Sequence, residues 1–235
     1  MKAEIPVEAV SQEGFSLVQT DQELTNLVKT LKNASYLVLD TETSALDPLS
    51  AELVGLSLCI GPEQAFYVPM GHKGDDGQLV SGQLGKEDVL KTLQPYLEDE
   101  KLPKLGHNLK FDYSIIKMQG GGVSLKGLLW DTMIASYLLD PGRRTFKLDD
   151  LCRELLDLKL TSFSEVTKGD KRDDSFVYVP LEDAKNYSCE DVYGACLLWK
   201  EFKPKLKTQK LWSLFADLEI PLVPILAEME LAGIK

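Results

Sequence analysis

The sequence predicts an α/β fold, a mixed sheet of about five strands flanked by helices, on two observations. Apolar runs of strand length, rich in β-branched residues, are interspersed with stretches that repeat apolar residues at helical spacing. Near the start, three short apolar runs follow one another with tight connections, so the sheet is expected to open with antiparallel strands. With 235 residues, 44% of them hydrophobic, the chain can bury a sizeable core as one domain with some length left over.

Thr20-Asp21-Gln22-Glu23 has the form of a capping box and opens an amphipathic helix to Leu31. Asn33-Ala34-Ser35 breaks it, and residues 36–40 follow as a strand. A turn-prone segment through Asp47-Pro48 leads to strands over 53–60, stopped by Gly61-Pro62, and over 65–69. Residues 72–85, rich in Gly and Asp, read as a loop. His72 and the Gly71 to Gly77 stretch are open to two readings, a substrate contact or a surface turn, and the turn is favoured. Val89, Leu90, Leu93 and Leu97 space a crossover helix over 86–97. A short strand over 104–106 precedes a helix capped by Asn108, with Phe111, Ile115 and Ile116 toward the core and Gly120-Gly121-Gly122 at its end. Helices are expected over 131–139, 148–156 and 182–202, with Pro141-Gly142 and a charged loop at 168–174 between them. A seam falls near Lys203-Pro204-Lys205. Beyond it, 211–233 reads as one helix with an apolar face of Leu214, Leu218, Leu222, Leu226 and Met229, more than one peripheral helix needs. The chain then stops at Lys235 without a terminating element, which creates the expectation of a piece excised from a longer polypeptide.

Composition excludes several classes. No stretch reaches the roughly 18 apolar residues of a membrane span, and Met1 to Thr20 shows no secretory pattern. Cys59, Cys152, Cys189 and Cys196 form no C-x-x-C pair and no zinc-type spacing with histidine, so reduced thiols in or near the core are expected. The net charge of −11, with 37 acidic residues against 26 basic, opposes a broad phosphate grip. Either the chain does not touch nucleic acid, or its contact is local and metal-mediated. Lys101, Lys104, Lys110 and Lys117, and later Lys168, Lys171 and Arg172, are more readily a solvated surface than a phosphate track.

Three acidic motifs carry the chemistry. Asp40 and Glu42 alternate on one strand and so point the same way, with Cα atoms roughly 6–7 Å apart, at the carboxyl end where α/β sheets place ligands. Asp112 lies in the first turn of the helix after Asn108. Tyr187 and Asp191 stand four residues apart on one helix face. Each motif alone has a bland reading: a common strand end, a helix cap, an aromatic beside a surface acid. Together they gather four carboxylates, tolerable in one pocket only with protons or cations. Oxygen ligands without histidine or cysteine favour Mg²⁺ or Mn²⁺. Two such ions suit phosphodiester cleavage, and the Tyr187 hydroxyl can orient the attacking water.

Asp40-Thr41-Glu42-Thr43, Gly106-His107-Asn108-Leu109-Lys110-Phe111-Asp112 and Tyr187-Ser188-Cys189-Glu190-Asp191 resemble the three exonuclease motifs of the DEDD superfamily, in its tyrosine-bearing subclass. More closely, the stretch from about Tyr36 to Leu206 resembles the proofreading domain of bacterial family A DNA polymerases, and Glu219 to Gly233-Ile234 is similar to the entry into their polymerase module. The resemblance implies a ribonuclease H-like fold and 3′→5′ removal of unpaired DNA ends as 5′-monophosphates. It implies two Mg²⁺ or Mn²⁺ ions, one held by Asp40, Glu42 and Asp191, and a second shared by Asp40 and reached by Asp112. Leu46 matches a wedge against the terminal base, Phe163 an aromatic at the same strand end, and Asn108 a residue lining the pocket. The implied organisation is a lead-in with one helix over 1–34, the exonuclease domain over 35–206, and the start of a polymerase module over 207–235. A frayed or single-stranded 3′ end of DNA and a polymerase module in the same parent chain are the expected partners. A monomer in a bacterial cytoplasm, with no membrane contact, is expected, and an organellar host stays open. Two rival readings are a ribonuclease D-like enzyme trimming RNA 3′ ends and a catalytically silent structural module.

Overall fold

The computed structural model describes residues 8–61, 63–170 and 175–233. Pro62, the Lys171 and Arg172 of the charged loop, and Ile234 lie outside the described residues, as does most of the stretch read for a signal. In chain order the elements are β1 (Glu8–Ala9), β2 (Phe15–Leu17), α1 (Asp21–Leu31), β3 (Leu37–Thr43), β4 (Leu53–Gly61), β5 (Gln64–Pro69), α2 (Lys86–Leu97) and β6 (Lys104–Gly106). There follow α3 (Leu109–Gln119), β7 (Leu128–Asp131), α4 (Thr132–Leu139), α5 (Leu148–Leu156), β8 (Leu158–Lys159) and α6 (Phe163–Val166). A 3₁₀ turn (Ser175–Tyr178), α7 (Leu181–Thr208), α8 (Trp212–Leu214), a π-helical turn (Phe215–Glu219) and α9 (Ile220–Leu231) complete the chain.

The main sheet has six strands in the order β2-β5-β4-β3-β6-β7. The expected antiparallel opening is present in β3, β4 and β5, while β6 and β7 continue parallel to β3. The two strands that the sequence left without a range are short: β2 has three residues and β7 four, too few for a two-residue period to stand out. Helix α1 begins with the expected capping box, Thr20 and Glu23 each accepting the other's backbone N–H.

The sheet is covered on both faces, and β3 shows why. Val38 joins the layer beneath α7 with Cys189 and Val192. Leu37 and Leu39 join the opposite layer with Leu93, Ile115 and Ile116 of α2 and α3. A strand buried on both faces reads as a continuous apolar run, as Leu37-Val38-Leu39 does. All four cysteines are buried and free, as expected.

The C-terminal stretch departs from its expected form. Helix α7 runs through Pro204 to Thr208, and the break comes at Lys210, whose φ is 60°. The helix that follows contains a π turn just before Pro221, whose missing N–H leaves the Asp217 carbonyl without its helical donor. Its docked face carries Phe215, Ile220, Val223 and Ala227, all buried. Phe215 packs on Trp130 with ring centroids 4.5 Å apart. The apolar face read from the spacing is the exposed one, with Leu214, Leu218, Leu226 and Met229 in solvent. Helix α9 lies along α3, tied by Lys110–Glu230 (2.6 Å), Lys117–Glu228 (2.9 Å) and Tyr113–Glu228 (2.8 Å). No described helix is long and apolar enough to cross a membrane.

Candidate active site

The alternation of β3 continues past its apolar residues. Asp40 and Glu42 share the parity of Val38 and face α7, while Thr41 faces α3. From α7 comes Asp191, and one carboxylate oxygen from each of Asp40, Glu42 and Asp191 lies within 4.8 Å of the others. Asp112 arrives from α3, where its Oδ1 accepts the Thr41 backbone N–H (2.8 Å) and the Thr41 hydroxyl (2.7 Å). Strand β6 pairs with β3 only through Leu37 and Val38. Beyond that point the two strands part, and the start of α3 fills the opening with Asp112. The structure thus gathers three of the four sequence-predicted acids within 4.8 Å, and Asp112 is near enough to act electrostatically on Asp40 and Glu42.

Electrostatically the cluster is under strain. Burial, then the neighbouring Glu42, pushes Asp40 well above the usual carboxylate range. Burial and Asp40 do the same to Asp112 and Asp191. Glu42 rises to about 7, chiefly through burial, with the Ser188 hydroxyl opposing at 2.6 Å. The donors that hydrogen-bond these acids, Thr41 and Ser188, are neutral. Such a set fits hard divalent cations, which restore the charge balance that neutral donors do not.

A pH dependence follows for metal-free protein. Each acid has a folded-state pKa above its unfolded value, so the folded chain holds protons that the unfolded chain has released. Stability is then fullest at low pH and falls as pH rises from about 4.5 through about 7, on the order of 3 kcal/mol for Glu42 alone. Melting in EDTA is expected to weaken from pH 5.5 to 8, and Mg²⁺ or Mn²⁺ at pH 8 to reverse the loss. A flat metal-free profile would contradict the electrostatics.

Tyr187 stands one turn before Asp191 on α7, and the two groups act on each other electrostatically. Burial, followed by the charge of Asp191, raises its phenol well above the ordinary value, which argues against a role as base. Its ring lies 5.6 Å from Phe176 and 6.5 Å from Phe163, and Phe163 stacks on Phe176 at 6.3 Å. Phe163 is half exposed, and Leu46 is 92% exposed on the β3–β4 connection.

Asn108 does not cap α3 through its side chain: it sits at φ 62° with no capping bond. Asp131, from the end of β7, does so instead, accepting Asn108 N–H (3.1 Å) and Leu109 N–H (2.7 Å). The same carboxylate accepts Met133 N–H (2.9 Å) and Ile134 N–H (3.2 Å), so it caps α4 as well. A side chain on Gly106 would meet Leu109 Cδ2 at 2.5 Å and the Leu39 carbonyl at 2.9 Å, so the β6–α3 turn has room for glycine alone. Asp131, Ser188 and Thr41 are thus the supporting residues that the motif reading passed over. The available signals were an aspartate at a strand–helix junction and two hydroxyls inside the quoted motifs.

Other expectations are corrected. The 74–77 turn is at the surface, but His72 is fully buried, its Nε2 2.7 Å from the Tyr67 hydroxyl, and burial lowers its pKa to about 4. Lys104 is neither solvated nor on a phosphate track: it is buried, its Nζ donating to the Asp99 carbonyl at 2.6 Å. Lys110 and Lys117 pair with α9, and Lys168 with Asp183.

A family model described as 3′-5′ exonuclease matches residues 15–207. DNA polymerase I of Rhizobium leguminosarum is 36% identical over 212 residues, covering 84% of this chain and 21% of that protein. DNA polymerase I of Chloroflexus aurantiacus is 33% identical over 225 residues, covering 94% and 22%. The chain therefore spans about a fifth of the length of these relatives. Among solved structures, Brucella melitensis NrnC superposes with a TM-score of 0.69 at 20% identity, covering 95% of each chain. The catalytic core of RRP6 from Trypanosoma brucei gives 0.68 at 16% identity, covering 94% of this chain and 55% of that one. At such identities these two likenesses speak for the fold.

Proposed function

This chain belongs to the 3′-5′ exonuclease family, and on that premise we propose that it removes unpaired 3′-terminal nucleotides from DNA as 5′-monophosphates, with a pair of divalent cations. The fold is ribonuclease H-like. The observation that carries the proposal is the convergence of Asp40, Glu42 and Asp191 within 4.8 Å, with Asp112 beside Asp40. Asp40, Glu42 and Asp191 would hold one ion, and Asp40 with Asp112 the other. When bound, two Mg²⁺ or Mn²⁺ ions supply Lewis acidity on both sides of the scissile phosphorus.

The chain's own residues would do the rest. The Tyr187 hydroxyl, one helical turn from Asp191, would orient the attacking water. Leu46 and Phe163 flank the terminal base from two exposed positions, and Asn108 lines the pocket. Selection for mispaired ends comes from the substrate, because a mismatched terminus unstacks more cheaply and reaches the acids as single strand more often. Residues 207–235 would lead into the polymerase module of a longer parent in a bacterial cytoplasm, and that module would supply the duplex grip that a net charge of −11 denies this chain.

The test is a 3′-labelled single-stranded DNA oligomer incubated with Mg²⁺, Mn²⁺ or EDTA. Release of a labelled 5′-mononucleotide with metal, and none in EDTA, is expected. An RNA oligomer of the same sequence cleaved at least as fast would instead favour RNA trimming. Substituting Tyr187→Phe is expected to slow cleavage by about tenfold to a hundredfold while keeping the thermal stabilisation by Mn²⁺, about 2.7 kcal/mol at a hundredfold excess over Kd. No Mn²⁺ stabilisation in the unmodified chain would mark a silent module.

A further inference from the structure

We propose that Glu190, the acid immediately before Asp191, is a positioning residue rather than a cation ligand, and that it fixes the segment carrying Phe163 against the helix that carries Tyr187 and Asp191. The proposal rests on the reading of Phe163 as a contact for the strand end. Glu190 is 4% exposed, yet it is absent from the group of acids that converge with Asp40. Its Oε2 accepts the backbone N–H of Thr161 at 2.6 Å. Thr161 lies in the short connection between β8 and α6, two residues before Phe163.

A second contact one helical turn further along α7 holds the same connection. A Cβ at Gly194 would meet Leu160 Cδ1 at 3.0 Å and Cys152 Sγ at 2.9 Å, so Leu160, itself buried, sits down on the helix where the side chain is missing. Glu190 and Gly194 are four residues apart, on one face of α7. Tyr187 precedes Glu190 by three, and its ring meets Phe163 edge-on at 6.5 Å. A single rigid helix therefore sets both the place of Asp191 and the place of the aromatic beside it. A buried carboxylate is a strong acceptor for a backbone N–H, and without it that N–H is left unsatisfied.

The experiment is steady-state kinetics on a short single-stranded DNA oligomer, with amide hydrogen exchange over residues 161–166 and a thermal melt with and without Mn²⁺. Glu190→Ala is expected to raise KM about tenfold with kcat within about twofold, to speed exchange over 161–166, and to leave the Mn²⁺ stabilisation unchanged. Glu190→Gln, which keeps an acceptor oxygen without the charge, is expected to restore both KM and exchange. In a Phe163→Ala background, Glu190→Ala should add nothing further to KM. If the alanine protein does not fold, Glu190→Met keeps the volume without the acceptor and is read in its place. Loss of Mn²⁺ stabilisation in Glu190→Gln would make Glu190 a ligand and overturn the proposal, and so would unchanged exchange over 161–166 in Glu190→Ala. An unaltered KM in Phe163→Ala alone would overturn the strand-end reading of Phe163, while the exchange measurement still decides the part played by Glu190.

Discussion

Asp40→Ala is expected to lower the rate of 3′-end removal by at least about a thousandfold, because this carboxylate belongs to both halves of the cluster. It converges with Glu42 and Asp191 on one side and presses electrostatically on Asp112 on the other. A loss of about 4 kcal/mol of transition-state stabilisation corresponds to three powers of ten, and metal-assisted charge stabilisation supplies that much. The same substitution removes a charge from a crowd of like charges. At pH 8 in EDTA, the Asp40→Ala protein is therefore expected to melt no lower than the unmodified one, and Mn²⁺ should no longer raise its melting temperature. Unchanged turnover by a purified, folded Asp40→Ala protein would refute the assignment, whereas loss of activity together with loss of metal-free stability would point to a folding defect.

The largest expected effect on stability lies at Asp131, which is 1% exposed and accepts four backbone N–H groups from the first turns of two helices. A single N-cap contributes about 1 kcal/mol and up to about 2. Asp131→Ala strands both helix starts in the interior and is expected to cost about 3–4 kcal/mol in urea unfolding. Asp131→Asn can keep the oxygen that serves Asn108, Met133 and Ile134, but turns an amide toward Leu109 N–H, so about half that loss is expected. Activity should fall in step, since the start of α3 delivers Asp112. Stability unchanged in Asp131→Ala would show that water replaces the carboxylate.

The acids were legible because strand and helix periods are strict. Asp40 and Glu42 two apart on a strand, and Tyr187 and Asp191 four apart on a helix, need only the right element type to share a face. The Asp131 cap was not legible in that way, because Asn108 stands nearer the helix start and is itself a good capping residue; which side chain reaches the amides depends on where β7 ends in space. The docked face of the C-terminal helix did not show in the spacing, for a definite reason. Leu214, Leu218, Leu226 and Met229 stand out by their spacing yet stay exposed on both sides of the π turn over Phe215–Glu219. The buried Phe215, Ile220, Val223 and Ala227 are spaced five, three and four apart because the π turn takes in an extra residue. Nothing in the spacing of His72 marks it as interior; its partner Tyr67 comes from the strand just before it.

Strand β3 divides three adjacent residues between two sides: Asp40 and Glu42 toward α7, Thr41 toward Asp112 on the other layer. Adding or deleting one amino acid upstream, anywhere between Leu37 and Asp40, would exchange the two sides at a stroke. The acids would be driven into the leucine layer and the threonine into the cation pocket. Point changes at these positions can be graded, but length changes cannot: this stretch of the gene has no tolerance for a codon gained or lost.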